Sequence, residues 1–377
     1  MKDETKCLRA GYTPKNTEPG VMPIYQSTTY VFDSTTDVGD VFDDPTKALI
    51  YSRFANPTVM AVEDKIAALE GGIGAMCTSS GQAASLLSIL NICKAGDSFV
   101  STSTIYGGTV NLFAFTLKKL GIECIFVDAN ASEEEIGAAF KPNTKAMFGE
   151  TIANPALAVL DIEKMARIAH AHHVPLIIDN TFATPILCKP IEFGADIVVH
   201  STTKYMDGHA LQVGGVIVDS GNFDWESGDF PELTEPDESY HGIIYTKQYG
   251  KMAYILKARM QLMRDFGVYP AANSAFLLNL GLETLAVRMQ RYCENAIKVN
   301  AMRSKRSAIP ASKAMNTMNS QRNTFRKAAA VLFRSSSKAV KKLRSNSWTV
   351  SKCAPTKFTL PISAPVFFTR QVQRTAS

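Results

Sequence analysis

The sequence predicts an α/β protein built on a mostly parallel sheet with helices on both faces. Two observations predict it. Short apolar runs alternate with helix-length amphipathic ones from residue 57 to 218, the rhythm of consecutive βαβ units. With 46% apolar residues, the 377-residue chain is also long enough to build two ordinary hydrophobic cores. The same composition excludes collagen-like, coiled-coil and fully disordered chains, and there are no internal repeats.

The first strong element is PTVMAVEDKIAALE (57–70), which places apolar groups at helical spacing behind a proline and stops at Gly71-Gly72. The strand candidates follow: GAMCT (74–78), SFVS (98–101), CIFVD (124–128), KAMFGE (145–150), VPLIID (174–179), ADIVVH (195–200) and GGVIV (214–218). Helical patterns lie between them at 81–94, 108–120, 132–140 and 161–173. From 219 to 250 the pattern gives way to a long polar stretch of the kind that is functional or lies at an interface. Residues 251–299 read as two or three long helices that open a second domain.

Charge divides the chain into two unlike parts. Residues 1–300 carry 24 Lys and Arg against 35 Asp and Glu, whereas residues 301–377 carry 16 against none. The formal charge of +5 is therefore −11 plus +16. The seven cysteines are scattered, with no CxxC and no histidine at zinc-ligand spacing, which predicts reduced thiols and no metal site. The polar start of the chain and the lack of a long apolar run predict a soluble cytoplasmic protein.

In an open parallel sheet, ligands bind beyond the carboxyl ends of the strands. Ser79-Ser80-Gly81-Gln82 follows GAMCT and opens a helix, whose free N–H groups suit a phosphate; the same residues also open ordinary turns. VPLIID ends on Asp179, which can pair with a protonated ring nitrogen or simply cap the next helix. ADIVVH runs into Ser201, Thr202, Thr203 and Lys204. A lysine just beyond a buried strand suits Schiff-base chemistry, although it can equally snorkel from an exposed turn. Together, a phosphate cradle, a carboxylate and a hydroxyl-flanked lysine match the needs of pyridoxal 5′-phosphate (PLP).

These residues carry a family resemblance. ADIVVHSTTKY (195–205) with Gly208-His209 resembles the cofactor-lysine signature of the cystathionine γ-synthase/γ-lyase family of sulfur amino-acid enzymes. The likeness runs from about residue 5 to 299 through Tyr51-Ser52-Arg53, Asn56-Pro57, Tyr106-Gly107-Gly108-Thr109 and IIDNTFATP (177–185). FGETIANPALAVLDIE (148–163), FPELTEPDESYHGIIY (230–245) and PIYQSTTYVFDS (23–34) are similar to the O-acetylhomoserine sulfhydrylase branch.

The resemblance implies an aspartate-aminotransferase-like fold of type I. It also implies a division into an N-terminal arm (1–55), a cofactor-binding large domain (56–250) and the start of a C-terminal domain (251–299). Lys204 would hold PLP and move protons, and Asp179 would keep the pyridine nitrogen protonated. Tyr106 would stack on the ring, and Asn154 would bond the 3-oxygen. Gly81, Gln82, Ser201 and Thr203 would bind phosphate, joined by Tyr51 and Arg53 from a neighbouring subunit. Gln82 stands where the family more often has methionine, with little effect expected because only its N–H is implied.

The implied reaction is γ-replacement on O-acetyl-L-homoserine by sulfide or methanethiol, giving homocysteine or methionine plus acetate. The implied assembly is a homotetramer, a dimer of dimers, with no nucleic acid and no membrane as partner. Cystathionine γ-synthase, cystathionine γ-lyase or methionine γ-lyase activity, or a cofactor-binding but inactive homologue, are the alternatives. The absence of cysteine from Ser103-Thr104-Ile105-Tyr106-Gly107-Gly108 argues against methionine γ-lyase.

The family's later segments, including the arginine that grips the substrate carboxylate, are not visible after Val299. In a frame where each codon takes the third base of one residue and the first two of the next, Phe368 to Ser377 permits HPASTTHRQ. Lys338 to Thr349 permits GGKEAAIKFMD, and Ala308 to Ala314 permits YPGLKS. Each segment resembles the family, and they occur in the family's order. Residues 300–377 are therefore expected to be a frame-shifted translation of the C-terminal domain.

Overall fold

The computed structural model describes residues 1–43 and 48–304. Expectations for the chain beyond Ser304, including most of the acid-free tail, lie outside the described residues. Seven strands form one sheet: β1 (Gly74–Thr78), β2 (Ser98–Thr102), β3 (Glu123–Val127), β4 (Thr144–Glu150), β5 (Leu176–Asp179), β6 (Ile197–His200) and β7 (Gly215–Asp219). Their spatial order is β1-β7-β6-β5-β4-β2-β3.

Strands β2 to β6 pair in parallel. Only β7 runs against its neighbours, β6 and β1. The predicted α/β class therefore holds, with one antiparallel strand inserted between β1 and the parallel block. The chain winds from β2 outward to β3, then returns past β2 to lay down β4, β5 and β6. The reversal opens a crevice between the carboxyl ends of β2 and β4, where such folds bind ligands.

Side chains alternate between two cores, as the two-residue strand period requires. Met147, Leu176, Ile178, Val198, Val216 and Val218 join one face, covered by the helices Pro57–Glu70 and Ile162–Ala171. Phe148, Ile177, Ile197, Val199 and Ile217 join the other, covered by the helix Gly81–Leu90 and by Ala253–Lys257.

Local chemistry sets the helix ends. The Asn56 side chain accepts from Thr58 N at 3.0 Å, and Gly71 closes the helix with φ +84°. The predicted helix at 108–120 spans Gly107–Lys119 but contains a π-helical turn at Leu112–Thr116. That predicted at 132–140 is helical only over Glu133–Gly137, stopping short of Pro142, whose ring disfavours helix before it. The polar stretch 219–250 holds only short helical turns. Beyond it, helices at Ala272–Glu283 and Leu285–Ser304 match the expected long ones.

The N-terminal arm has little regular structure from residue 10 to 34 and is held by a bridge from Thr29 to Tyr51 and by the Asn56 amide on Tyr25 O at 2.8 Å. Val21, Ile24, Tyr25 and Val31 on this arm are exposed. No helix among the described residues is long and apolar enough to cross a membrane.

Candidate active site

The carboxyl ends of β1, β2, β4, β5 and β6 bring most of the predicted site residues together. The helix following β1 begins at Gly81, with Ser80 Oγ accepting from Ala83 N at 3.1 Å. The Gly81 and Gln82 N–H groups come earlier in that first turn, where no intrahelical partner exists. Gly81 is pressed against Ser201: a Cβ at Gly81 would lie 2.5 Å from Ser201 Cβ and 3.0 Å from its hydroxyl. Helix start and serine thus share one cradle that a side chain at residue 81 would fill.

At β5, Asp179 stands at the sheet rim. Thr181 donates to its Oδ1 from both the backbone N (2.9 Å) and the hydroxyl (2.5 Å), while Oδ2 makes no hydrogen bond among the described residues. Burial raises the Asp179 carboxyl, and the Thr181 bonds pull it back down. The same Thr181 hydroxyl accepts from Ser201 N at 2.8 Å. One hydroxyl therefore joins the acid of β5 to the turn that carries Lys204 after β6.

Lys204 is half-buried in that turn, with no hydrogen bond to its Nζ among the described residues. Thr203 and Gly214 are doubly linked, hydroxyl to Gly214 O at 3.2 Å and Gly214 N to hydroxyl at 3.1 Å. Arg288 braces the turn from behind through Tyr205 O (2.7 Å) and Met206 O (3.3 Å).

Tyr106 follows β2, and its ring is packed with the Gln82 side chain over Gly108, where a Cβ would meet Tyr106 Cε1 at 2.5 Å and Gln82 Nε2 at 2.8 Å. Asn154 follows β4, half-buried. Between them lies Glu150, the last residue of β4 and only 5% exposed. Burial first, then the neighbouring Asp179 charge, hold its carboxyl well above the ordinary range, while the Asn154 and Tyr106 N–H groups act in the opposite direction.

Tyr51 and Arg53 stand apart from this cluster. The Arg53 guanidinium stacks on the Tyr51 ring at 5.0 Å and on Phe54 at 5.6 Å. Two residues of the cluster, Glu150 and Thr181, were not assigned roles from sequence. For Thr181 the spacing of two from Asp179 was the available signal, since Asx turns take that form.

The donor set fits PLP. It offers a helix N-terminus and a serine hydroxyl for phosphate and, among the described residues, an unpartnered amine and a carboxylate with one free oxygen. Residues 4–337 match the family described as Cys/Met metabolism PLP-dependent enzyme.

The chain belongs to that family.

The Cys/Met metabolism family members it resembles include a homocysteine/cysteine synthase of Saccharomyces cerevisiae, 46% identical over 281 residues, which cover 74% of this chain and 63% of the relative. An O-acetyl-L-homoserine sulfhydrylase of Leptospira meyeri is 43% identical over 308 residues, covering 79% and 70%. The chain thus spans about two thirds of the length of these relatives. Among solved structures, an O-acetylhomoserine (thiol)-lyase of Campylobacter jejuni carrying pyridoxyl-lysine monophosphate superposes with a TM-score of 0.77 at 34% identity, covering 80% of this chain and 74% of that one. These structures share the type I PLP fold, so that expectation holds for this chain.

Proposed function

We propose that the chain is a PLP-dependent γ-replacement enzyme that exchanges the acetate of O-acetyl-L-homoserine for sulfide or methanethiol. The observation that carries this reading is the Thr181 bridge, which places Asp179 and the Lys204 turn at a set spacing on adjacent strands. Relatives named for this activity support the choice of substrate.

Bound PLP supplies an electron sink that acidifies the substrate Cα–H and then Cβ–H. Lys204 Nζ holds the cofactor and moves protons at Cα and Cβ. Asp179 would keep the ring nitrogen protonated, Tyr106 would stack on the ring and the Asn154 amide would donate to the 3-oxygen. The Gly81 and Gln82 N–H groups and the Ser201 hydroxyl bind phosphate; Thr203 joins them by turning its hydrogen away from Gly214 O. Over the cycle the Cγ–O bond breaks and a Cγ–S bond forms. The thiol proton departs with acetate.

Tyr51 and Arg53 complete the phosphate site of a neighbouring copy in a homotetramer. The exposed apolar residues of the arm support such a covering second chain. The unpaired state of the six described cysteines supports a cytoplasmic setting.

Purified full-length chain should bind PLP, with visible absorbance, and release acetate and homocysteine from O-acetylhomoserine plus sulfide; Lys204→Ala should do neither. Failure to bind PLP overturns the proposal. PLP binding without acetate release selects a second reading, a cofactor-binding chain that does not turn over. The acid-free residues 301–377, which lack the family's carboxylate-binding segment, favour that reading.

A further inference from the structure

Behind the sheet, on the face opposite Asp179, four polar side chains are joined where an apolar core would be expected. His200 Nε2 lies 2.6 Å from Glu70 Oε1, both side chains being fully buried. The Asn180 amide donates to the same Glu70 oxygen at 2.9 Å and to Cys188 O at 2.9 Å. Thr151 Oγ1 donates to Asn180 Oδ1 at 2.9 Å. Thr151 and Asn180 are themselves fully buried.

The placement of these four is systematic. Thr151 follows Glu150 at the end of β4, Asn180 follows Asp179 at the end of β5, and His200 precedes Ser201 at the end of β6. Successive residues of a strand face opposite sides, so a side chain anchored behind the sheet fixes the backbone of its neighbour in front. Glu70 is the last residue of the helix that begins at Pro57, separated by three residues from the Tyr51-to-Arg53 segment. Well-packed apolar residues could fill this space without a loss of stability, so folding alone does not demand a buried charge-bearing network here.

We propose that Glu70, His200, Asn180 and Thr151 form a clasp that sets the spacing of the three strand ends bearing Glu150, Asp179 and the Ser201-to-Lys204 turn, and thereby the affinity for PLP. They are positioning residues. Burial raises the Asp179 carboxyl, and His200 behind the sheet acts with the Thr181 bonds in the opposite direction. The inference rests on the proposed function, because PLP is its ligand.

The test titrates PLP into cofactor-stripped full-length protein, unsubstituted and as Glu70→Gln, His200→Gln, Thr151→Val and Thr151→Ser, with circular dichroism to confirm folding. Loss of one buried hydrogen bond predicts an affinity about tenfold weaker in the first three variants, and Thr151→Ser should recover it. If the Glu70 or His200 variant does not fold, the Thr151 pair decides. Variants that unfold more easily yet bind PLP as tightly as the unsubstituted chain assign the clasp to stability alone and overturn the inference. An unsubstituted chain that does not bind PLP overturns the proposed function as well.

Discussion

Glu150 and Asp179 are register partners at the carboxyl ends of β4 and β5, with their side chains on the same face of the sheet. Two carboxylates so placed do not both ionise readily, and the one with more burial and less favourable neighbouring charge holds its proton. Glu150 is that one: it is only 5% exposed, and burial and then the Asp179 charge raise its carboxyl, whereas Asp179 is half-buried and the effect of burial on it is opposed by its Thr181 bonds and by His200.

The pair predicts an asymmetry between two isosteric substitutions. Glu150→Gln replaces a neutral acid with a neutral amide and should leave PLP affinity nearly unchanged. Asp179→Asn removes the charge that faces the ring and should weaken binding by at least about tenfold, equivalent to roughly 1.4 kcal/mol. Equal losses in cofactor titrations of the two variants would show that the negative charge is not localised on Asp179.

Thr181 offers a second test, because one hydroxyl serves both Asp179 and the Ser201 N–H. Thr181→Val keeps the shape, leaves the Ser201 N–H unpaired and removes one of the two bonds to Asp179 Oδ1, which should cost about 1 to 3 kcal/mol in urea unfolding. It should also raise the Asp179 carboxyl further, since the Thr181 bonds are what lower it. Thr181→Ser should restore both stability and PLP binding. A valine variant as stable as the unsubstituted chain would remove the hydroxyl bridge from the account of this site.

The strands were legible because each is a short, largely apolar run that ends abruptly, and every one falls within two residues of its predicted place. Pairing order was not: nothing in GGVIV shows that β7 will run antiparallel between β1 and β6. At the site, Asp179 stood out as a charged residue directly after an apolar run, and Lys204 as an amine behind three hydroxyls just past a buried strand. Glu150 occupies the same kind of position, but its distinguishing property is the neighbour across the sheet. The clasp was hidden for a related reason. Glu70 reads as an ordinary helix-end acid and His200 as one more residue of a strand; only tertiary packing joins them.

Asp219 gives a prediction for pH. It is 1% exposed, and burial, with Asp196 adding to it, pushes its carboxyl up to about 7 against the Gly221 N–H bond of 2.8 Å. Between about pH 4 and 7 the folded state therefore binds more protons at this site than the unfolded chain, whose Asp titrates near 3.9. Stability falls as pH rises through that window. Asp219→Asn removes the dependence, so its advantage over the unsubstituted chain should grow by at most about 3 kcal/mol from pH 5 to pH 8. Parallel denaturation curves at both pH values would refute the assignment.

The final prediction concerns the gene. An acid-free run from 301 to 377, next to a body with 35 acidic residues, is explained if the codons are read out of the frame in which they were selected. Sequencing genomic DNA across codons 295–310 should reveal an inserted or missing base that, once corrected, restores a C-terminal domain with its carboxylate-binding arginine. The family match extends to residue 337, past the expected boundary near 300, and a frame change found later than codon 314 would contradict the shifted reading of Ala308 to Ala314. An uninterrupted frame whose shifted translation shows no family pattern refutes it. The corrected chain should then gain O-acetylhomoserine turnover relative to the present one, because a bidentate charge-assisted clamp on the substrate carboxylate both binds and orients it.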